Sequence, residues 1–348
     1  MKLTGPGNKI ALLMHGAFGQ PYGKLGESVL RYGRAENVCV IDRDSQLTRA
    51  SQLASGLADV PVVKTVAEAK QLGADVLVLA IAPAGGLLPQ EWRAEIVEAL
   101  RLDMSLVNPL HAPLQNEAEF RNALQSGREI EDVRQEPSGL QPATGDARLL
   151  PNKRILTIGT DMSVGKMTAS LELVKTLRSY GHSAEMVATG QVGMIVTGSG
   201  VPLDAVRVDF ATGAIESEVL NVAKKADFIV IEGQGALCHP AASANLALMR
   251  GSMPTHLLFC HRAGQSHIRN RPWANIPEIP SLIALYEDMA ACCGTFLKPK
   301  TVGVALNTAH LSENDAASAV NELEKESGLP VSDPVRFGSE KFLSRLVD

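Results

Sequence analysis

Apolar runs that suit strands alternate with stretches that suit helices along most of the chain. Residues 9–14, 37–42, 61–63 and 74–80 are short runs dominated by apolar residues, several of them β-branched. Such runs belong in a parallel sheet covered on both faces, where neither side of a strand meets water. Between and after them, 25–32, 66–72 and 90–101 read as helices. This order predicts a Rossmann-like parallel-sheet domain over 1–104. From 105 to 150 the alternation fades: only 118–126 reads as a helix, and 130–134 is a charged run. Pro137, Gly139, Pro142 and Gly145 then mark a linker, so 105–150 is expected to be a connecting segment. The alternation resumes near Pro151 and predicts a second α/β domain over 151–348, with strands expected at 155–158, 183–189, 227–232, 256–260 and 301–306. Within it, 190–200 is expected to be a glycine-rich connection, 206–209 a short element ending in an acid, and 261–271 a basic loop.

Chemistry enters at the first strand of the second domain. Ile155-Leu-Thr-Ile158 runs into Gly159-Thr160-Asp161-Met162-Ser163-Val164-Gly165-Lys166-Met167-Thr168, and a helix begins at once. A strand, a glycine-bounded loop, a lysine and a helix N-terminus form the context of a phosphate loop. Backbone N–H groups and the helix dipole face an anion there, and the lysine adds a point charge. The fold class is therefore α/β, a Rossmann-like domain followed by a P-loop NTPase-like domain. Two departures narrow the reading. Five residues separate Gly159 from Gly165 instead of four, and Met167 stands where a magnesium-binding Ser or Thr is expected. Thr168 is about 100° further round the helix. Anion binding is supported; a metal-assisted nucleotide reaction is not. Glu232, at the tip of an apolar strand, lies where a Walker B carboxylate would be.

In open α/β sheets ligands bind beyond the carboxyl ends of strands. In the first domain that points to His15-Gly16, to Asp42 with Arg43 and Asp44, and to 81–86. Asp42 resembles a ribose-gripping acid, but the first turn lacks G-x-G-x-x-G, so a turn or capping role is an equal alternative. Asp132 and Arg134 read as an ion pair steadying the linker.

Composition trims the options. In 348 residues, 45% hydrophobic and 20% charged, there is ample globular core, mostly aliphatic because aromatics are only 4%. A net charge of −5 argues against a general nucleic-acid binder. No apolar run is long enough to span a membrane, and five cysteines without C-x-x-C spacing suit a reducing compartment, so a cytoplasmic protein is expected. His261 and His267 lack ligand spacing with any carboxylate, so no metal site is expected.

The second domain resembles the dethiobiotin synthetase and cobyric acid synthase branch of phosphate-loop proteins in its longer loop, in Glu232-Gly-Gln234-Gly235, and in Leu306-Asn307-Thr308. A fuller set of ordered motifs adds Val40-Ile-Asp42, Ile81-Ala-Pro83 with Gly85-Gly86, Asp132-Val-Arg134, Ala188-Thr-Gly-Gln191, Asp209-Phe210, His239-Pro240 and Asp333-Pro-Val-Arg336-Phe-Gly338. On these the chain resembles, over nearly its whole length, the D-glutamate N-acetyltransferase family, first known only as a domain of unknown function.

That resemblance implies acetyl transfer from acetyl-CoA to the amine of D-glutamate, giving N-acetyl-D-glutamate, with no metal required. The loop from Gly159 to Thr168 would hold the CoA phosphates, with Asn307 also on the cofactor, and the acetyl group would project toward strand ends shared with the first domain. Asp42 is the first candidate base, with Asp44 and Glu232 behind it. Arg43, Arg134 and Arg336 are candidate carboxylate clamps, joined by Gln191, Gln234 and His239 as substrate contacts. Small-molecule substrates and a homo-oligomeric assembly are expected, without nucleic-acid or membrane partners. The alternative is an ATP- and magnesium-dependent ligase or kinase resembling dethiobiotin synthetase, with Glu232 and Asp161 on the metal. A ligand-sensing regulator is a third reading.

Overall fold

In the computed structural model, which describes residues 1–347, the chain divides into two compact units. The first comprises Met1–Glu136 together with Gln191–Ala205, and the second comprises Pro137–Gly190 and everything from Val206 onward. Residue 348, the end of the expected second domain, lies outside the described residues.

The first unit is built on six strands: β1 (Lys9–Leu13), β2 (Glu36–Ile41), β3 (Val62–Val63), β4 (Val76–Leu79), β5 (Ser105–Asn108) and β6 (Ile130–Asp132). They lie in the order β3-β2-β1-β4-β5-β6, and every neighbouring pair is parallel. This is the Rossmann-like sheet expected from the alternation. Helices α1 (Lys24–Tyr32), α2 (Val66–Gln71), α3 (Arg93–Arg101) and α4 (Ala118–Ala123) connect the strands. Ile10, Leu12, Leu13, Leu77 and Leu79 are fully buried between the helical layers. The expected connecting segment is corrected: 105–136 belongs to this sheet, supplying β5, β6 and α4. The charged run at 130–134 misled because only Ile130 of β6 is buried, as suits an edge strand.

The second unit carries β7 (Lys153–Gly159), β8 (Ala184–Val187), β9 (Phe228–Ile231), β10 (His256–Arg262), β13 (Lys300–Asn307) and β14 (Val331–Ser332), in the order β14-β13-β10-β7-β9-β8 and again all parallel. A separate antiparallel hairpin pairs β11 (His267–Ile268) with β12 (Arg271–Asn275), where a basic loop was expected. Helices α5 (Lys166–Ser179), α7 (Val208–Ala223), α8 (Asn245–Ser252), α9 (Ile279–Ala291), α10 (Glu313–Ser327) and α11 (Glu340–Leu343) complete the unit. Residues 206–209 are the entry to α7 instead of a separate element.

The expected glycine-rich connection at 190–200 contains helix α6 (Gln191–Thr197), which packs against α1 in the first unit. Met194, Ile195 and Val196 are buried there, so apolar burial outweighs the poor helix propensity of Gly193.

The proline-rich passage 137–150 is fastened to α7. Buried Glu216 accepts from Thr144 N at 2.6 Å and Ala147 N at 3.4 Å. Gly213 lets the backbone cross the helix closely, since a Cβ there would stand 1.8 Å from Gln141 O. Gly213→Ala is expected to cost about 1–3 kcal/mol through overpacking. A lowered urea midpoint with new proteolytic cutting within 137–150 would display it; an unchanged midpoint would show the crossing to be loose.

Candidate active site

Parallel strands bring their carboxyl ends to one edge of each sheet, and in the second unit that edge holds Gly159, Glu232 and Asn307 at or just beyond the ends of β7, β9 and β13. The loop turns into α5 at Gly165, whose φ of 111° lies in the left-handed region that favours glycine. The first N–H groups of α5 then face the loop. Gly159 is fixed by Tyr286, whose hydroxyl donates to its carbonyl at 2.8 Å and accepts from Leu237 N at 2.9 Å. Thr160 N donates to Cys260 O at 3.1 Å, and its hydroxyl meets His261 Nδ1 at 3.0 Å. Burial lowers the His261 pKa to about 4, so that imidazole is neutral at physiological pH.

Lys166 is buried, and its ammonium donates to Asp161 O at 2.7 Å. Burial lowers its pKa to about 8, against the opposing pull of Cys260, Asp161 and Glu232. Val164 is buried, Met162 and Ser163 are exposed, and Met167 and Thr168 are half-buried on the first turn of α5. The glycine turn, the helix N-terminus and the lysine together fit a phosphate group. Asn307 braces the loop from the side: its amide nitrogen reaches Val164 O at 3.4 Å, and its side-chain oxygen accepts from Ala309 N at 3.1 Å.

Asp161 is fully buried, and its carboxylate ties protein segments together. One oxygen accepts from Gln265 Nε2 and from Arg269 N, both at 2.7 Å; the other accepts from Met162 N at 2.6 Å. His239 Nε2 lies 4.0 Å from that second oxygen, while His239 Nδ1 accepts from Ala241 N. Asp161 is therefore a bracket between the loop and the β11–β12 hairpin.

Glu232 is buried just past β9. Its Oε2 accepts from Thr189 N at 3.0 Å and Gly190 N at 3.3 Å, and Gln234 also bonds to the carboxylate. Burial raises its pKa to about 7, with those hydrogen bonds and Lys166 opposing the shift. A carboxyl poised near neutrality, close enough to feel a buried ammonium, is what proton transfer at physiological pH requires. The apolar run ending in an acid exposed Glu232 to sequence reasoning; the N–H pair of Thr189 and Gly190 did not stand out.

In the first unit, Asp42 is buried and its Oδ1 accepts from Gly16 N and Asp44 N, each at 3.0 Å. The carboxylate thus joins the β1 and β2 ends through one oxygen. Asp42→Asn keeps that acceptor and is expected to retain fold and most activity, whereas Asp42→Ala orphans two N–H groups at about 1–3 kcal/mol each. Thermal melts and rates of both variants decide this; a large loss of activity in a stably folded Asp42→Asn would restore Asp42 as a base. Asp44 is exposed beside Gly16.

The three candidate clamps are engaged within the protein. Arg43 pairs with Glu95 at 2.7 Å, and Glu95 also binds His15 Nε2 at 2.6 Å. His15 Nδ1 accepts from Arg43 N at 2.9 Å, so both ring nitrogens are used. This Glu95–His15–Arg43 set had no local signal, because Glu95 arrives from α3. Arg134 pairs with Asp204 at 3.4 Å and with His111, and not with Asp132. Asp132 instead accepts from Asn108, Leu114 and Gln115. Arg336 donates to Leu311 O at 2.8 Å and Thr308 O at 3.4 Å. Gln191 opens α6 in the first unit. Among the described residues no group of three or more His, Cys, Asp or Glu is arranged to hold a metal, and no helix is long and apolar enough to cross a membrane.

Two family models match the chain: a domain of unknown function described as the DUF1611 P-loop domain over residues 141–343, and one described as the DUF1611 Rossmann-like domain over 44–136. A D-glutamate N-acetyltransferase from Tritonibacter scottomollicae is 38% identical over 287 residues, 82% of this chain and 83% of that protein. Another from a Pseudoalteromonas species is 36% identical over 284 residues, 81% of this chain and 84% of that protein. The crystal structure of a DUF1611 family protein from Anabaena variabilis superposes with a TM-score of 0.94 at 45% identity, covering 98% of this chain and 99% of that one.

Proposed function

This chain belongs to the DUF1611 family, and from that premise we propose that it is an N-acetyltransferase carrying an acetyl group from acetyl-CoA to the amine of D-glutamate. Two relatives named for that activity match more than four-fifths of the chain. The observation that carries the chemistry is the buried Glu232 carboxyl, raised to about 7, in the same unit as the phosphate loop and its lysine.

In this reading the loop N–H groups and Lys166 hold the diphosphate of the donor. Glu232 takes the proton from the substrate ammonium, because only the free amine is nucleophilic. Its Oε2 is held by Thr189 and Gly190, and Gln234 also bonds to the carboxylate, so the group is oriented before it takes the proton. Acetyl-CoA supplies the thioester carbonyl, where the C–N bond forms as the C–S bond breaks. Glu232 then returns that proton to the departing thiolate, and the second proton that the nitrogen loses as the amide forms passes to solvent, so ammonium and thioester give amide, thiol and one released proton. Five unpaired cysteines suit a reducing compartment, and a cytoplasmic location belongs to the same proposal.

The ATP- and magnesium-dependent alternative needs Asp161 on a cation, yet both its oxygens already accept from protein N–H donors. Thiol release from acetyl-CoA, followed with and without D-glutamate, tests the proposal. D-glutamate-dependent release with no requirement for ATP is expected. Turnover that requires ATP and magnesium, or no thiol release at all, would overturn it.

A further inference from the structure

The β11–β12 hairpin was read as no more than a basic loop, and the chemistry above does not use its side chains. Its position is nevertheless fixed by the phosphate loop. Ile268 is buried, and the Ile268–Arg271 pairing leaves Arg269 and Asn270 as the turn, with Asn270 at φ 61°. Arg269 N is held 2.7 Å from the Asp161 carboxylate, and Gln265 Nε2 spans from Asp161 to His267 O at 2.9 Å. The turn is thus tethered to the residue two positions after Gly159.

The tethered hairpin presents two guanidinium groups and an indole at the surface. Arg269 and Arg271 are exposed, and among the described residues neither guanidinium is paired with a carboxylate; Arg271 reaches only Asn270 O at 2.9 Å. Several other arginines here are in ion pairs, among them Arg43, Arg49, Arg93, Arg128, Arg134, Arg148 and Arg178. Two strand positions from Arg271, Trp273 is 71% exposed. Arg271 and Trp273 are thus two positions apart on one exposed strand of the hairpin. Unpaired guanidinium suits a phosphate, and a bare indole suits a heteroaromatic base, which stacks well on Trp.

We propose that the hairpin is a second grip on the donor, holding an adenine ring against Trp273 and a phosphate separate from the diphosphate in the loop against Arg269 and Arg271. This rests on the acetyl-CoA reading and deepens it: coenzyme A carries a 3′-phosphate on the ribose next to its diphosphate, one sugar away from the loop's own ligand. It also gives the anchoring by Asp161 a purpose, since the spacing between the two phosphate grips must be kept.

The test compares acetyl-CoA with acetyl-3′-dephospho-CoA as donors, with D-glutamate as acceptor. For the unaltered protein, loss of the 3′-phosphate should raise the donor KM by at least about tenfold, the scale of a charge-assisted contact. In the Arg269→Gln/Arg271→Gln double variant the two donors should have nearly equal KM. Trp273→Ala should raise the KM of both donors, by about tenfold, because both carry adenine. All three residues are on the surface, so these variants should fold.

An unchanged donor ratio in the double variant would overturn the proposal while leaving the acetyl-CoA reading intact. So would an increase confined to the KM of D-glutamate, which would assign the arginines to substrate carboxylates. A change in particle mass by light scattering on Trp273→Ala would assign the hairpin to contacts between copies and equally overturn it. Failure of the unaltered protein to release thiol from either donor would bring down both readings together.

Discussion

Glu232→Gln should lower kcat by about 10²- to 10⁴-fold, the range associated with a lost general base. The amide keeps an acceptor for Thr189 N, so the loss should not come from unfolding. The pH profile makes the test specific. Activity of the unaltered protein should rise as the carboxyl ionises near 7 and weaken at higher pH as Lys166, lowered to about 8, loses its charge. In the variant the acidic limb should disappear. Stability should move the other way. The folded carboxyl holds its proton to about 7 while the unfolded one releases it near 4.5. Its contribution is therefore present in full below 4.5 and lost as pH climbs through 7. The variant escapes that loss, so its Tm should exceed that of the unaltered protein at pH 8, with the gap closing toward pH 4.5. A variant with full kcat would place the base elsewhere.

Lys166→Met should raise the KM for acetyl-CoA by about 10- to 100-fold, corresponding to about 1.5–3 kcal/mol for a hydrogen bond to a charged group. Methionine preserves the buried stem and removes the charge and the hydrogen bond to Asp161 O, and shedding a desolvated ammonium offsets the loss of that bond. A second consequence follows from the coupling. Lys166 favours the ionised form of Glu232, so without it the carboxyl should titrate higher and the acidic limb of the rate profile should move to higher pH. An unchanged donor KM would mean that the loop does not hold the donor.

The phosphate loop and the two parallel sheets were legible in sequence because their signals are local. The loop, the end of β7 and the start of α5 fall within one short window, and buried parallel strands announce themselves as apolar runs. Segments β5 and β6 escaped because they are short and polar-tipped, β6 at the sheet edge. The hairpin escaped because Pro272 interrupts β12 and its Arg269-Asn270 turn lacks the usual Asn-Gly signal. What the sequence could not disclose was the partner of each charge. Asp42 meets two backbone N–H groups, Arg43 meets Glu95, and Asp161 meets Gln265 and Arg269 more than a hundred residues away. Each is a long-range pairing with no periodicity behind it. Residue type alone therefore placed charges at the strand ends, but it could not separate the brackets from the groups left free to act.

The excursion of α6 into the first unit has a consequence for how such a protein can be divided. The chain passes between the units after residues 136, 190 and 205, so the two folds are not consecutive cassettes on the gene. A cut at 136 would give one fragment lacking the helix that covers α1, and another carrying that helix with Met194, Ile195 and Val196 stripped of their packing. Recombination at the linker, the usual way α/β modules are exchanged, would break a hydrophobic core on one side and expose it on the other. The interlaced chain path makes the pair of folds a single heritable part.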